Sequence, residues 1–329
     1  MTALLSHRVV DWFEKNKRDL PWRRTSDPYK IWVSEVMLQQ TTVATVIPYY
    51  ERFLSRFSTI NCLANASESE VLSLWQGLGY YRRAKNLRAG AQFILKEFKG
   101  EFPKSLDDLL KVPGIGRYSA GAILSIAHRI PTAALDGNLI RVYARHDGIK
   151  EAVDDSKVIK SLWTIAESHV PTDPKQAREF TEGMMELGAL ICTPRNPQCS
   201  RCPLIKTCRA HAQDLAESLP VKSKVTKRKK LVEMIFWCEK NGRIGLLPKG
   251  SDPKFPDFCR LPFEAIDAQD RPQQPFKKFR YAITDRDFEV VLMRSSRKFK
   301  SLRWVSLKEA EEMLLPTIDR KIIRAMMNE

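Results

Sequence analysis

No apolar run in this chain of 329 residues reaches the ~18–20 residues that a membrane-spanning helix needs. A transmembrane segment is therefore not expected. The first stretch, MTALLSHRVVDWFEK, meets charge too soon for a secretory signal and reads instead as the start of an amphipathic helix. Internal repeats and low-complexity tracts are absent, which excludes a repeat architecture. Acid is scarce beside base: 39 Asp and Glu stand against 55 Lys and Arg, a net charge of +16. That excess suits a polyanion such as nucleic acid, although membrane surfaces attract it too. Cysteine is sparse and uneven. Of seven, Cys192, Cys199, Cys202 and Cys208 cluster while Cys62, Cys238 and Cys259 are scattered. Without an export signal, this distribution points to a metal site in a reducing compartment rather than to disulfides. The 43% hydrophobic content is enough for one very large core or two ordinary ones.

The stretch with most information is Lys111–Arg141, KVPGIGRYSAGAILSIAHRIPTAALDGNLIR. Ser105 is a plausible N-cap for a helix to about Val112, and a second helix runs from Arg117 to about His128. Gly114 and Gly116 lie in the turn between them. They let the backbone come close to a partner, and free N–H groups opening the second helix suit a phosphate. Alone, such a turn is usually only a turn. Asp136 falls at the likely start of the next helix, where its ordinary role is an N-cap.

Asp27-Pro28 is a second strong helix start. In the helix that follows, Ile31, Glu35 and Leu38 share a face, so Glu35 is an acid in an apolar stripe. Burial should raise its pKa, and an acid protonated near neutral pH can serve as a general acid. The competing explanation is an ion pair at the edge of the core. Further on, Leu78, Gly79, Tyr80, Tyr81, Arg82 and Arg83 put aromatic rings among basic residues, which suits DNA as well as it suits a packed turn. The spacing C-x6-C-x2-C-x5-C gives four thiolates in one loop, able to hold zinc or a [4Fe–4S] cluster.

Taken together, LxxVPGIGxxxA followed by LDGN resembles the endonuclease III superfamily, and WVSEVMLQQT at residues 32–41 resembles the adenine-specific DNA glycosylases of the MutY family. The resemblance implies a mostly α helix-hairpin-helix glycosylase fold with an iron–sulfur loop, plus a C-terminal α+β Nudix-like domain. It implies Glu35 as catalytic acid and base, and Asp136 as the carboxylate that stabilises or captures the sugar cation. Tyr118 and Asn138 would orient these groups, Tyr118 bonding near the sugar or Asp136. Trp22 and Arg23 of the PWR segment would face the extruded adenine. Gln40 is implied as a wedge with Thr41 beside it, and Tyr80 as an intercalating ring with Leu78 beside it. Glu182 aligns with a residue of the adenine pocket. The cysteine spacing matches that family's [4Fe–4S] loop. Bifunctional relatives carry a lysine at the position of Tyr118; a phenol cannot form a Schiff base, so base release without efficient strand cleavage is expected.

After about Ala212 the pattern changes. Residues 213–230 read as a basic linker. Leu231–Cys238, Phe279–Thr284 and Phe288–Met293 read as strands, and Ser306 with Glu309 as a capping box on a helix to Leu315. Residues 1–212 are thus expected to be the glycosylase domain, and residues 231–329 a Nudix-like domain for 8-oxoguanine recognition. No Nudix hydrolase signature is present. Where the family has Phe-Ser-His, this chain has Ile283-Thr284-Asp285: Thr284 keeps a hydroxyl, but Asp285 sets an acid near DNA. The reading is a monomeric enzyme, cytoplasmic and associated with a bacterial nucleoid, that removes adenine opposite 8-oxoguanine or guanine in double-stranded DNA. A thymine-specific relative and a non-catalytic lesion binder are the competing readings.

Overall fold

Polar side chains at the helix starts set much of the architecture. In a computed structural model describing residues 2–223, 228–283, 285–295, 297 and 299–328 (without the side chains of 2–4 and 268), the chain divides into two units, Met1–Lys224 and Val225–Glu329. The first is helical. Its helices are α1 Thr2–Asn16, α2 Pro28–Leu38, α3 Val43–Arg56, α4 Ile60–Asn65, α5 Glu68–Trp75 and α6 Arg82–Phe98. They continue with α7 Leu106–Leu110, α8 Arg117–Ile126, α9 Gly137–Asp147, α10 Ser156–His169, α11 Pro174–Leu190 and α12 Arg209–Ala212. Asp27, Thr42, Ser67, Ser105, Asp136, Asp155 and Asp173 each accept a backbone N–H at a helix start, a bond worth about 1 kcal/mol. The two helices of the hairpin end two residues earlier than their sequence suggests, at Leu110 and Ile126. None of the described helices is long and apolar enough to cross a membrane.

Two packing relationships place the site. Leu5 and Val9 of α1 join Leu139, Tyr143, Leu162, Met184 and Leu187 in a core that ties α9, α10 and α11 together. Ile31 of α2 packs with Ala122 and Ile126 of α8 and with Ala134. A Cβ added at Gly121 would lie 2.0 Å from the Ala133 carbonyl oxygen. Only glycine lets α8 meet the segment that ends at Asp136. Residues 213–223, the first part of the expected basic linker, pack on the helices. Leu219 is buried, Arg145 Nε donates to the Leu219 carbonyl at 2.8 Å, and Val153 N donates to the Val221 carbonyl at 2.9 Å.

The second unit holds β1 Lys229–Trp237, β2 Glu239–Lys240, β3 Arg243–Leu246, β4 Phe263–Ile266, β5 Lys277–Ile283, β6 Arg286–Arg294 and β7 Arg303–Ser306, then α13 Leu307–Glu312 and α14 Thr317–Met327. One sheet has the order β4-β1-β6-β5, with β1 parallel to β6, and the other the order β2-β3-β7. Ile235, Leu246, Leu261, Val290, Leu292, Ile318 and Ile322 fill its core. Arg260, fully buried, bonds to Asp319 (Nε to Oδ2, 3.0 Å), Asp252 and Glu233. The expected strands correspond to β1, β5 and β6. β2, β3, β4 and β7 are two to four residues long, too short to display an alternation. The Ser306–Glu309 capping box forms, but its helix stops at Glu312 rather than Leu315. Asp285 lies exposed in the turn between β5 and β6. Thr284 is outside the described residues.

Candidate active site

Glu35 projects from α2 into an open cleft lined also by Trp22, Arg23, Tyr118, Asp136, Asn138 and Glu182. The residue is 5% exposed. Burial raises its pKa most, the charges of Asp136 and Glu182 add to this, and a bond from Tyr118 opposes it; the outcome is about 7. The Tyr118 hydroxyl donates to Glu35 Oε2 at 2.5 Å. Of the two partners expected for this phenol, the sugar or Asp136, the hydroxyl does not bond Asp136: it bonds Glu35, because α8 packs directly on α2. Burial also drives the phenol itself well above its ordinary value, so it stays a donor.

Asp136 is both part of the cleft and the N-cap of α9. Its Oδ1 accepts from Asn138 N at 2.9 Å and Leu139 N at 2.8 Å, and its Oδ2 from Asn138 Nδ2 at 3.2 Å. Burial pushes its carboxyl up and these three donors pull it back, leaving it raised. Asn138 Oδ1 in turn accepts from Arg141 Nη2 at 2.9 Å. Arg141 also donates to the Gly188 and Cys192 carbonyls, at 2.8 and 2.7 Å.

The walls differ from expectation in one respect. Trp22 is buried and meets Tyr50 edge to face. Arg23, foreseen as a base contact, gives both terminal nitrogens to Glu186 at 3.0 Å. Arg18 reaches the same carboxylate from Nε (2.9 Å) and Nη2 (2.5 Å). Burial pushes Glu186 up, but these bonds win and hold it at about 2. Glu182 is buried, not solvent-facing, beside Arg178 Nε at 3.3 Å. Glu186, Arg18 and Arg178 were not singled out from the sequence. The signal available was two acids four apart on α11, flanked by Met184, Met185 and Ala189.

Gln40 and Tyr80 sit at the tips of two loops, α2–α3 and α5–α6, both in left-handed backbone (φ 59° and 50°). Tyr80 is 53% exposed, whereas Leu78 is buried and so packs inward rather than standing beside it as a wedge. Arg83 donates from Nη1 to the Val36, Met37 and Gln39 carbonyls and from Nη2 to Thr41 Oγ1 and the Gly79 carbonyl. Gly114 and Gly116 are exposed in the hairpin. Gly114 has φ 83°, and a Cβ there would lie 2.8 Å from that of Asn86.

Cys192, Cys199, Cys202 and Cys208 line one small cavity with Pro197, Leu204 and Ile205. All four are free thiols, and burial pushes Cys202 up to about 12. Four thiolates on one zinc ion at Zn–S ≈ 2.3 Å would stand roughly 3.8 Å apart. Among the described residues, no three of these sulfurs lie within 4.8 Å of one another. As they stand, the sulfurs are spread more widely than the ligands of one ion, and they could hold a multi-iron group. Arg145 Nη1 donates to Cys192 Sγ at 3.4 Å, a positive charge placed against a cysteine sulfur.

Residues 33–168 match the HhH-GPD superfamily of base excision DNA repair proteins. An adenine DNA glycosylase of Buchnera aphidicola subsp. Schizaphis graminum is 40% identical over 247 residues, covering 72% of this chain and 71% of that protein. The solved structure of a thermostable thymine-DNA glycosylase superposes with a TM-score of 0.59 at 29% identity, covering 64% of this chain and 97% of its own. An endonuclease III–DNA complex superposes at 0.54 and 23% identity, over 65% of this chain and 98% of its own, a likeness of fold.

Proposed function

This chain belongs to the adenine DNA glycosylase family and is a base excision repair enzyme that hydrolyses an N-glycosidic bond in DNA; we propose that its substrate is adenine opposite 8-oxoguanine or guanine, released without strand cleavage. One observation carries the assignment of roles: a buried carboxyl near pKa 7 shares a cleft with a capped second carboxyl.

The target adenine must leave the stack to reach Glu35, at a cost of a few kcal/mol. Glu35, protonated near neutral pH, gives its proton to the adenine ring and makes it a leaving group. Positive charge grows on the sugar. Asp136, fixed by three N–H donors, stabilises that charge or captures the sugar carbon. Glu35, now ionised, takes a proton from water as the water completes hydrolysis. Tyr118 holds the Glu35 carboxyl in place and, lacking an amine, forms no Schiff base. Gln40, Thr41 and Tyr80 enter the helix beside the extruded base, while Gly114 and Gly116 approach phosphate. Trp22 and Glu182 face the adenine. The four cysteines would hold a [4Fe–4S] cluster, which when bound cross-links the loop from Cys192 to Cys208 and holds its basic residues toward DNA. The Val225–Glu329 unit would inspect the opposite base, with Thr284 and Asp285 in place of the family's usual pair. The same reading has the enzyme working as a monomer on nucleoid DNA.

The test is a duplex with one adenine opposite 8-oxoguanine, and a control opposite guanine, each assayed with and without alkali. Breaks that need alkali support the reading. Breaks without alkali would overturn base release without lyase action, and intact strands from cluster-loaded protein that still binds would overturn the adenine assignment.

A further inference from the structure

We propose that His146, Asp147 and His169 form a second metal site, separate from the four cysteines, for a zinc-type divalent ion. His146 and Asp147 are the last residues of α9, and His169 is the last of α10. Among the described residues, these three are the group of histidine, cysteine and acid side chains whose ligand atoms all lie within 4.8 Å of one another.

Two further observations point to a ligand. His169 Nδ1 is buried but has no hydrogen-bond partner, and its ring is fixed by parallel stacking on Tyr143 (5.8 Å, 6°). In the tautomer with its proton on Nε2, that nitrogen offers a lone pair without a hydrogen-bond donor. The His146 ring stands at 90° to it, 6.0 Å between centroids. His146 Nδ1 has Asp147 Oδ1 3.0 Å away, and its Nε2 has Thr207 Oγ1 at 3.1 Å. Those bonds account for His146 alone. They leave His169 unexplained.

Two imidazoles and one carboxylate are a zinc-type donor set, whereas calcium and magnesium favour all-oxygen shells. The His146 and Asp147 side chains are 12% and 25% exposed, so an ion has a way in and water can complete the shell. The ligand atoms already lie within 4.8 Å of one another, so small side-chain rotations at two helix ends would close them on an ion. An ion there would join α9 and α10. Through Thr207 it would also bear on the loop that ends in Cys208. The proposal does not depend on which base the enzyme removes.

The experiment uses the full, cluster-loaded chain, with iron content measured and loosely held metal removed, titrated calorimetrically with Zn²⁺. One equivalent should bind, and His169→Gln and His146→Gln should each weaken it at least tenfold with iron content unchanged. Asp147→Asn, a milder change, should weaken it too, and serves if a histidine variant fails to fold. ¹¹³Cd NMR of the wild-type chain should report nitrogen and oxygen ligands. No uptake, equal uptake by His169→Gln, or a thiolate-type cadmium signal would each overturn the proposal.

Discussion

The Tyr118 hydroxyl and the Glu35 carboxylate meet at 2.5 Å, and they pull the acid in opposite directions. Burial favours the protonated form of Glu35; the phenol, by donating, favours the ionised form. Activity that needs protonated Glu35 is retained below about pH 7 and falls tenfold per unit above it. Tyr118→Phe removes the opposing donor. The alkaline limb of its single-turnover pH profile should therefore lie above that of the wild type. A limb that does not move would show that Tyr118 leaves the acid's pKa alone.

Glu35→Gln should lose 10²-fold to 10⁴-fold or more in base release, the range of a general acid–base group, and keep its affinity for substrate duplex. It should also change stability in a defined direction. The folded carboxyl sits near 7 against an ordinary 4.5, so the folded state holds the proton more tightly. Wild-type stability then declines as pH rises through that window, by on the order of 3 kcal/mol. Denaturant melts at pH 4 and pH 8 should show a larger decline in the wild type than in the variant, since Asp136, also raised, remains in both.

Asp136 separates two roles by choice of replacement. Asparagine caps helices as well as aspartate does, and alanine loses about 1 kcal/mol. Asp136→Asn should melt like the wild type, Asp136→Ala should melt lower, and both should lose turnover. Full turnover in Asp136→Asn would remove this residue from the chemistry.

Glu186→Ala leaves Arg23 and Arg18 facing each other across an empty site. Breaking a buried pair from one side costs about 3–5 kcal/mol, and the partial exposure of Arg18 puts the expected loss at the lower end. Because the Glu186 carboxyl is held at about 2, its contribution is full above about 4.5 and lost as pH falls through 2. An acid melt of Glu186→Gln should lack that component.

Removing a ligand from the cysteine loop should act on binding before chemistry. Cys202→Ser should purify with less iron and a weaker affinity for duplex DNA. Its rate under saturating, single-turnover conditions should fall less than that of Glu35→Gln. Full iron content in Cys202→Ser would exclude it as a ligand.

The acid at 35 is legible because an amphipathic helix with a clear start sets it in an apolar stripe and burial is the largest influence on its pKa; its role as catalytic acid comes from the family resemblance. Asp136 is legible as a cap, and its neighbours follow from that. Glu186 is not. Its partner Arg18 lies 168 positions away, and four-residue spacing on a helix looks the same on a wet face as on a buried one. The short strands β2, β3 and β7 escape for a related reason: the Val225–Glu329 sheet is assembled from segments whose pairing, not their own pattern, makes them strands. Leu78 misleads because an apolar residue beside a glycine turn suits a wedge and a core equally.

Arg83 has one more consequence. A single guanidinium donates to the carbonyl before Gln40 and to the one before Tyr80, and lies against the Tyr80 ring. The two tips are therefore mechanically one part. Substitutions at Gln40 and Tyr80 are not independent experiments: a change that relaxes one loop frees the arginine that shapes the other. Their effects on DNA distortion should combine non-additively in a double-mutant cycle.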